Sequence, residues 1–78
     1  MTSIDLERRE PARNLQRFQA LTATRTPFGG WALVREWGRI GQPGTVRETG
    51  FETEDEAWAA GERWRQRKAR RGYRTVGG

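Results

Sequence analysis

The chain has 78 residues, enough for one small hydrophobic core, and we expect residues 1–78 to form a single domain. It contains no cysteine and no histidine; this excludes disulfides, thiolate chemistry, the common zinc sites and the usual general base, so we expect neither an enzyme nor a metal or cofactor site. The formal net charge is +5, and fourteen of the fifteen basic residues are arginine, which favours a polyanionic partner. A GC-rich genome would enrich arginine as well, so the net charge is the stronger indication.

The sequence shows no feature of a membrane or exported protein. Its first residues have no basic segment followed by an apolar run, which a signal peptide would have. No apolar stretch approaches the roughly 20 residues that are needed to cross a bilayer. We therefore expect a cytoplasmic protein without a membrane partner.

Three breaks divide the first fifty residues into segments of strand length. Each break contains proline, which cannot donate to a strand ladder, or glycine, which favours turns. Pro43 and Gly44 occupy the centre of the last break, which predicts a type II turn inside a hairpin. The partly alternating segments between the breaks predict strands at 3–10, 15–24, 31–40 and 45–51.

The third segment is rich in tryptophan and arginine, and its alternation does not separate polar from apolar residues. Trp31, Leu33, Arg35, Trp37 and Arg39 share one face, but neither face is cleanly polar. The pattern alone therefore does not say which face meets the core.

A helix follows the strands. Thr53 and Glu56 form a capping box, and Gly72 is placed to end the helix as its C′ residue. Ala57, Gly61, Trp64 and Lys68 form one stripe on the helix. These elements predict an α+β fold, with a small antiparallel sheet of about four to five strands and one C-terminal helix packed on one face. Trp31, Trp58 and Trp64 are expected in the core.

The segment 31–44 contains the tripeptide Trp37-Gly38-Arg39 and is similar to the signature of the WGR domain, which is named after it. The Asn14 turn, the Arg17-Phe18 pair, the Thr-x-x-Glu-Ala helix start and Gly72-Tyr73-Arg74 agree with the family in order and spacing. The resemblance covers about residues 4–75. WGR domains occur in poly(ADP-ribose) polymerases and in bacterial proteins that are little more than the domain, and this chain looks like the second kind.

The resemblance implies nucleic-acid binding, because the domain helps the polymerases to bind DNA at a break. The motif tryptophan and arginine lie at that contact, while no transferase segment is present to carry over the polymerase activity. We expect Trp37 to stack on a nucleic-acid end, Gly38 to allow close approach and the basic residues to hold phosphates. The residues expected at the interface are Asn14, Gln16, Arg17, Arg35, Trp37, Gly38, Arg39, Lys68, Arg71 and Tyr73.

Several of these residues also have a purely structural interpretation. Trp37 could be core, Gly38 could permit a bulge, and Arg39 could pair with Glu36 or Glu48. The basic run after Trp64 could be a solvated helix end, and Tyr73 could close the seam between sheet and helix. The whole surface could instead recruit an acidic protein partner. DNA and RNA, as well as intact and broken duplexes, stay open as ligands.

Overall fold

A computed structural model describes residues 3–76 of the chain. One antiparallel sheet contains five strands in the order β4-β3-β2-β1-β5. A single helix, α1, packs on one face of this sheet, so the predicted α+β architecture is confirmed. The strands and the helix are β1 (Ser3–Glu10), β2 (Leu15–Arg25), β3 (Trp31–Arg39), β4 (Thr45–Phe51), α1 (Glu54–Ala69) and β5 (Arg74–Val76).

The helix is bounded by the local signals that predicted it. The Thr53 hydroxyl accepts a hydrogen bond from the Glu56 amide at 3.2 Å and satisfies one free donor of the first turn. At the other end the Tyr73 amide donates to the Lys68 carbonyl and the Gly72 amide to the Ala69 carbonyl, both at 3.1 Å. Gly72 has φ of +95°, so this is a Schellman termination with glycine in the left-handed region. The chain is then directed back to the sheet, where β5 pairs with β1.

The core is built from small and aliphatic side chains between the sheet and α1. Leu6, Leu21 and Leu33 are almost completely buried, and Ala57 of the helix lies against the same layer. A Cβ atom added to Gly61 would lie 3.3 Å from a Leu33 methyl, so glycine lets the helix approach the sheet closely. The face of β3 that carries Leu33 is therefore the face that meets the helix.

The burial of three tryptophans differs from the prediction. Trp31, Trp58 and Trp64 were expected in the core, but each is only half-buried. One helix is too narrow to cover five strands, so these large side chains line the rim of the helix–sheet layer instead of filling its centre. Trp64 donates from its indole nitrogen to Gln19 Oε1 at 3.2 Å, and this bond gives the buried Gln19 amide a partner.

The β3–β4 connection also differs from its prediction. A type II turn needs a positive φ at its third residue, and Gly44 was expected to provide it. The positive φ is instead at Gly41, at +88°, inside a turn closed by the Gln42 amide donating to the Arg39 carbonyl at 3.1 Å. The tight turn thus comes directly after β3, and the predicted turn at 42–45 is wrong.

Within the described part of the chain, no helix has the length and apolar character of a membrane span. Residues 3–76 also contain no group of three or more acidic side chains close enough to hold a metal ion.

Candidate nucleic-acid interface

A cavity of about 600 Å³ opens where the ends of β1, β2 and β3 meet the C-terminal end of α1. We call it the arginine cleft. It forms at this end because the β1–β2 turn, the end of β3 and the Schellman turn after α1 all lie there. Its lining residues are Arg8, Arg13, Asn14, Leu15, Gln16, Arg17, Gln19, Trp37, Gly38, Arg39, Lys68, Arg71 and Tyr73.

Nine of the ten residues that were predicted for the interface line the arginine cleft, and Arg35 is the exception. Two basic lining residues, Arg8 and Arg13, were not predicted. The lining contains six cationic side chains and no carboxylate, so none of the lining residues carries a negative charge. A cavity of this composition attracts anions.

Three arginines form a row across neighbouring strands in the arginine cleft. Arg8 of β1 lies opposite Arg17 of β2, and Arg17 lies opposite Arg39 of β3. Residues directly opposite in antiparallel strands share a face, and like charges in such pairs destabilise the sheet. The row is therefore a cost to the folded chain that a bound anion would relieve.

Arg39 forms no ion pair with Glu36 or Glu48, the two carboxylates named for it in its purely structural interpretation. Its guanidinium donates to the backbone and side-chain oxygens of Asn14, both at 3.4 Å, and no carboxylate of residues 3–76 lies within ion-pair distance. Asn14 can hold this position because it has φ of +52°, a conformation that asparagine tolerates better than most residues. The asparagine turn thus orients the motif arginine without neutralising it.

Arg8 has a different environment. One of its terminal nitrogens donates to Glu10 at 3.0 Å, while its Nε is buried and has no hydrogen-bond partner among the described residues. The hydrogen bond from Arg8, with the charges of Arg8 and Arg13, holds the pKa of Glu10 below its usual value. Glu10 therefore partly neutralises Arg8 and Arg13 at the edge of the cleft, while none of the ion pairs among residues 3–76 involves the other basic lining residues.

Trp37 is half-buried, on the same side of the sheet as the helix. It lies opposite Gln19 of β2, whose amide accepts the Trp64 bond from the helix, so both side chains point toward α1. The residue is not sealed beneath the helix, since it is only half-buried and lines the open cleft. It can pack and remain accessible at once.

Arg35 lies outside the arginine cleft. Its guanidinium carbon is 4.3 Å from the Trp64 ring centre and 5.7 Å from that of Trp37, so it lies between two indoles. Such cation–π contacts stabilise both rings. Arg35 thus contacts a strand indole and a helix indole at once, which the alternation along β3 could not reveal.

Gly38 is needed for packing inside the molecule. A Cβ atom there would lie 3.1 Å from the Gly44 Cα and 3.5 Å from the Phe18 ring. The β3–β4 connection folds over this glycine, on the face opposite the helix. The tripeptide glycine therefore permits a close chain crossing, in addition to any approach that a ligand makes to its backbone.

Lys68 and Tyr73 line the cleft on the side where α1 ends. Tyr73 is buried, so it does close the seam between sheet and helix. The Lys68 Nζ lies 4.7 Å from the Trp64 ring centre and 5.8 Å from that of Tyr73. Desolvation first, and then the charges of four arginines, lower the pKa of its ammonium group; those arginines are Arg71, Arg67, Arg35 and Arg17.

Comparison with known proteins agrees with the tripeptide and the fold. An uncharacterized protein of Sinorhizobium fredii, y4dW, is 36% identical over 69 residues, which are 88% of this chain and 34% of that protein. The chain therefore spans about a third of the length of this curated relative. No solved structure matches the chain. The model of the WGR domain matches residues 2–78, so the chain belongs to the WGR domain family.

Proposed function

We propose that this protein is a nucleic-acid-binding module without catalytic turnover, and that the arginine cleft holds the end of a DNA duplex. One observation carries the proposal: three arginines in register across β1, β2 and β3 line a cavity that has no carboxylate and contains Trp37. Arg8 pairs with Glu10, but Arg17 and Arg39 have no carboxylate partner among residues 3–76, and a surface that only needs to be stable would pair such charges or separate them.

The binding mode follows from the two kinds of side chain in the arginine cleft. Arg17 and Arg39 contact backbone phosphates, which positions the ligand without specifying its sequence. Trp37 stacks on the terminal sugar or base, a contact that is worth about 1–3 kcal/mol and tolerates any base. The Arg35 guanidinium lies near the Trp37 and Trp64 rings and holds the orientation of the Trp37 indole. The module therefore recognises the charge and shape of an end.

Fluorescence anisotropy with three labelled duplexes tests this proposal: one with blunt ends, one with a nick, and one closed by hairpin loops at both ends. We expect the blunt and nicked duplexes to bind more tightly than the closed one, and all binding to weaken steeply with salt. Arg63→Gln is the matched control for cleft variants, because Arg63 is an exposed helix arginine outside the cleft.

The alternative function is a protein-interaction module that recruits an acidic partner through the same cleft. The experiment separates the two functions. If none of the three duplexes binds at low salt, the nucleic-acid proposal fails and the acidic protein partner is favoured.

A further inference from the structure

Lys68 is the one lysine among fifteen basic residues, and it lies in the arginine cleft. It is half-buried near the end of α1, with its amine close to the rings of Trp64 and Tyr73. Arginine would hold a phosphate at least as well, because its guanidinium matches a phosphate group bidentately. Phosphate binding alone therefore gives no reason for a lysine at this position.

The chemical difference between the two side chains is nucleophilicity. A lysine amine attacks carbonyl groups to form an imine, whereas a guanidinium stays protonated and does not. A lysine becomes a useful nucleophile at neutral pH when it is desolvated or when other cations surround it. Lys68 meets both conditions: it is half-buried in the cleft, and the arginines that face it come from β2 (Arg17), β3 (Arg35) and the end of the helix (Arg67 and Arg71).

No acidic side chain in the cleft opposes this effect. Of residues 3–76, the carboxylates that form ion pairs are those of Glu7, Glu10 and Glu62, and none of them pairs with Lys68. Desolvation, and after it the surrounding positive charges, lowers the pKa of Lys68 and so increases the fraction of neutral amine at a given pH.

We propose that Lys68 captures an aldehyde-bearing sugar at a DNA end, namely the ring-opened deoxyribose of an abasic site, as a covalent imine. This inference rests on the proposed function, because the cleft arginines must hold the flanking phosphates while the amine reacts. It goes beyond that function, because it adds a chemical step and a class of damaged substrate.

The step is balanced without any co-reactant. The neutral Nζ attacks C1′ of the open-chain sugar, the N–C bond forms, and the carbonyl electron pair moves onto oxygen. Proton transfer from nitrogen to oxygen gives a carbinolamine, which loses water as the C=N bond forms. The resulting imine accepts a proton from water on its nitrogen. Hydrolysis reverses every step, so capture is reversible until a reductant is added.

Borohydride trapping tests the proposal. A labelled duplex with an abasic site near one end is mixed with saturating protein and reduced, and the covalent adduct is resolved on a denaturing gel. We expect an adduct whose modified peptide contains Lys68. A duplex with a tetrahydrofuran analogue, which has no aldehyde, should give none.

A matched pair of variants tests whether the adduct needs the amine in the cleft or forms with a lysine at any exposed position. Lys68→Arg removes the amine and keeps the charge. The double variant Lys68→Arg with Arg63→Lys has the composition of the parent, but its lysine lies on an exposed part of the helix outside the cleft. At protein concentrations that saturate the duplex, we expect the adduct to fall by about tenfold or more in both variants.

Three results would overturn the inference alone, and anisotropy on the same abasic duplex distinguishes them from failure of the proposed function. A duplex that binds but gives no adduct, or an adduct that maps to the terminal α-amine, refutes the role of Lys68 alone. An undiminished adduct from the double variant refutes it as well. Absence of duplex binding refutes the proposed function together with this inference.

Discussion

At the scale of single residues, Trp37 combines two roles that are usually separate. The guanidinium of Arg35 packs near its ring, and the side chain also lines the cleft. A half-buried indole has little rotational freedom left to lose when a ligand stacks on it. In the proposed binding mode, the stacking contact is therefore formed by a ring that the fold has already oriented.

Replacing Trp37 with alanine should weaken binding to a blunt duplex by about 1–3 kcal/mol, which is roughly five- to 150-fold in the dissociation constant. Trp37→Phe should lose less, since a smaller ring still stacks. Anisotropy titrations at fixed salt measure both, and circular dichroism checks that each variant is folded. A folded Trp37→Ala protein that binds the duplex as tightly as the parent would contradict the stacking role.

Lys68 gives a prediction on pH. Its folded-state pKa is lowered below the ordinary value of 10.5, so the folded chain binds fewer protons than the unfolded chain in the window between the two values. Below this window the charged amine destabilises the fold, and the cost falls as pH rises from the folded-state pKa to the ordinary value. Relative to Lys68→Met, the parent should therefore gain stability as pH increases toward 10.5.

Urea unfolding of the parent and Lys68→Met at several pH values above 7 measures this difference. Arg63→Met is the control, and its difference from the parent should not vary with pH in this window. A parent that loses stability relative to Lys68→Met as pH rises would show that the pKa of Lys68 is not lowered by folding.

At the scale of elements, the arginine cleft is a product of strand register. Arg8, Arg17 and Arg39 come from three strands and face one another only because β1, β2 and β3 pair with the register observed. A shift by one residue would move each side chain to the other face of the sheet. The hydrophobic contacts of Leu6, Leu21 and Leu33 prevent such a shift, so the core determines the position of the charges.

Arg17 is the middle of the arginine row, and Arg17→Gln should have opposite effects on binding and on stability. Duplex affinity should fall, and the slope of log K against log salt should decrease in magnitude by about 0.9 for each lost phosphate contact. The unfolding free energy at low salt should stay the same or rise, because two like-charged pairs disappear. Anisotropy over a salt series and urea unfolding measure the two effects.

Arg63→Gln should change neither the affinity nor the salt slope. If it reduces the slope as much as Arg17→Gln does, binding depends on total charge and not on the cleft.

The β3–β4 connection allows a graded stability prediction. A Cβ atom at Gly44 would lie 2.6 Å from the Trp37 carbonyl oxygen, one at Gly38 would lie 3.1 Å from the Gly44 Cα, and one at Gly50 would meet nothing within 4 Å. Alanine should therefore destabilise most at Gly44, by about 1–3 kcal/mol, less at Gly38, and least at Gly50. Denaturant unfolding of the three variants measures this order. A Gly44→Ala variant as stable as Gly50→Ala would contradict the observed crossing of the connection over β3.

At the scale of the whole molecule, the charge is distributed unevenly. The helix begins with Glu54, Asp55 and Glu56 and carries Arg67 and Lys68 in its last turn, as the helix dipole favours. The last turn lies beside the arginine row, so the basic end of the helix adds to the charge of the sheet at one end of the molecule. With a net charge of +5, the folded chain brings like charges close together and leaves most of them unpaired.

Added salt should therefore raise the stability of the free protein and lower its affinity for a duplex. Raising sodium chloride screens the repulsion within the cleft, so the melting temperature of the free protein should increase. The same change should weaken duplex binding, because the release of counterions into a more concentrated salt solution gains less entropy. Thermal melts without ligand and anisotropy over one salt series measure the two effects. A melting temperature that falls with salt would indicate that attractive ion pairs dominate.

The sequence by itself determined the features that depend on neighbouring residues. Thr53 starts the helix and Gly72 ends it because caps act within one turn. Prolines and glycines separated the strands, and the Trp37-Gly38-Arg39 tripeptide indicated the family. The short strand β5 was within the expected range of strand number, but its three residues are too few to produce a periodic signal.

Only the tertiary structure decided which charges meet and which rings stay accessible. Arg8 was missed as a cleft residue because its neighbours Arg17 and Arg39 are distant in sequence and become adjacent only through strand register. Arg35 was expected to reach phosphate, but it lies between the indoles of Trp37 and Trp64, a contact between a strand and the helix. Register and helix placement are set by the packing of the whole core, and no local pattern contains that information.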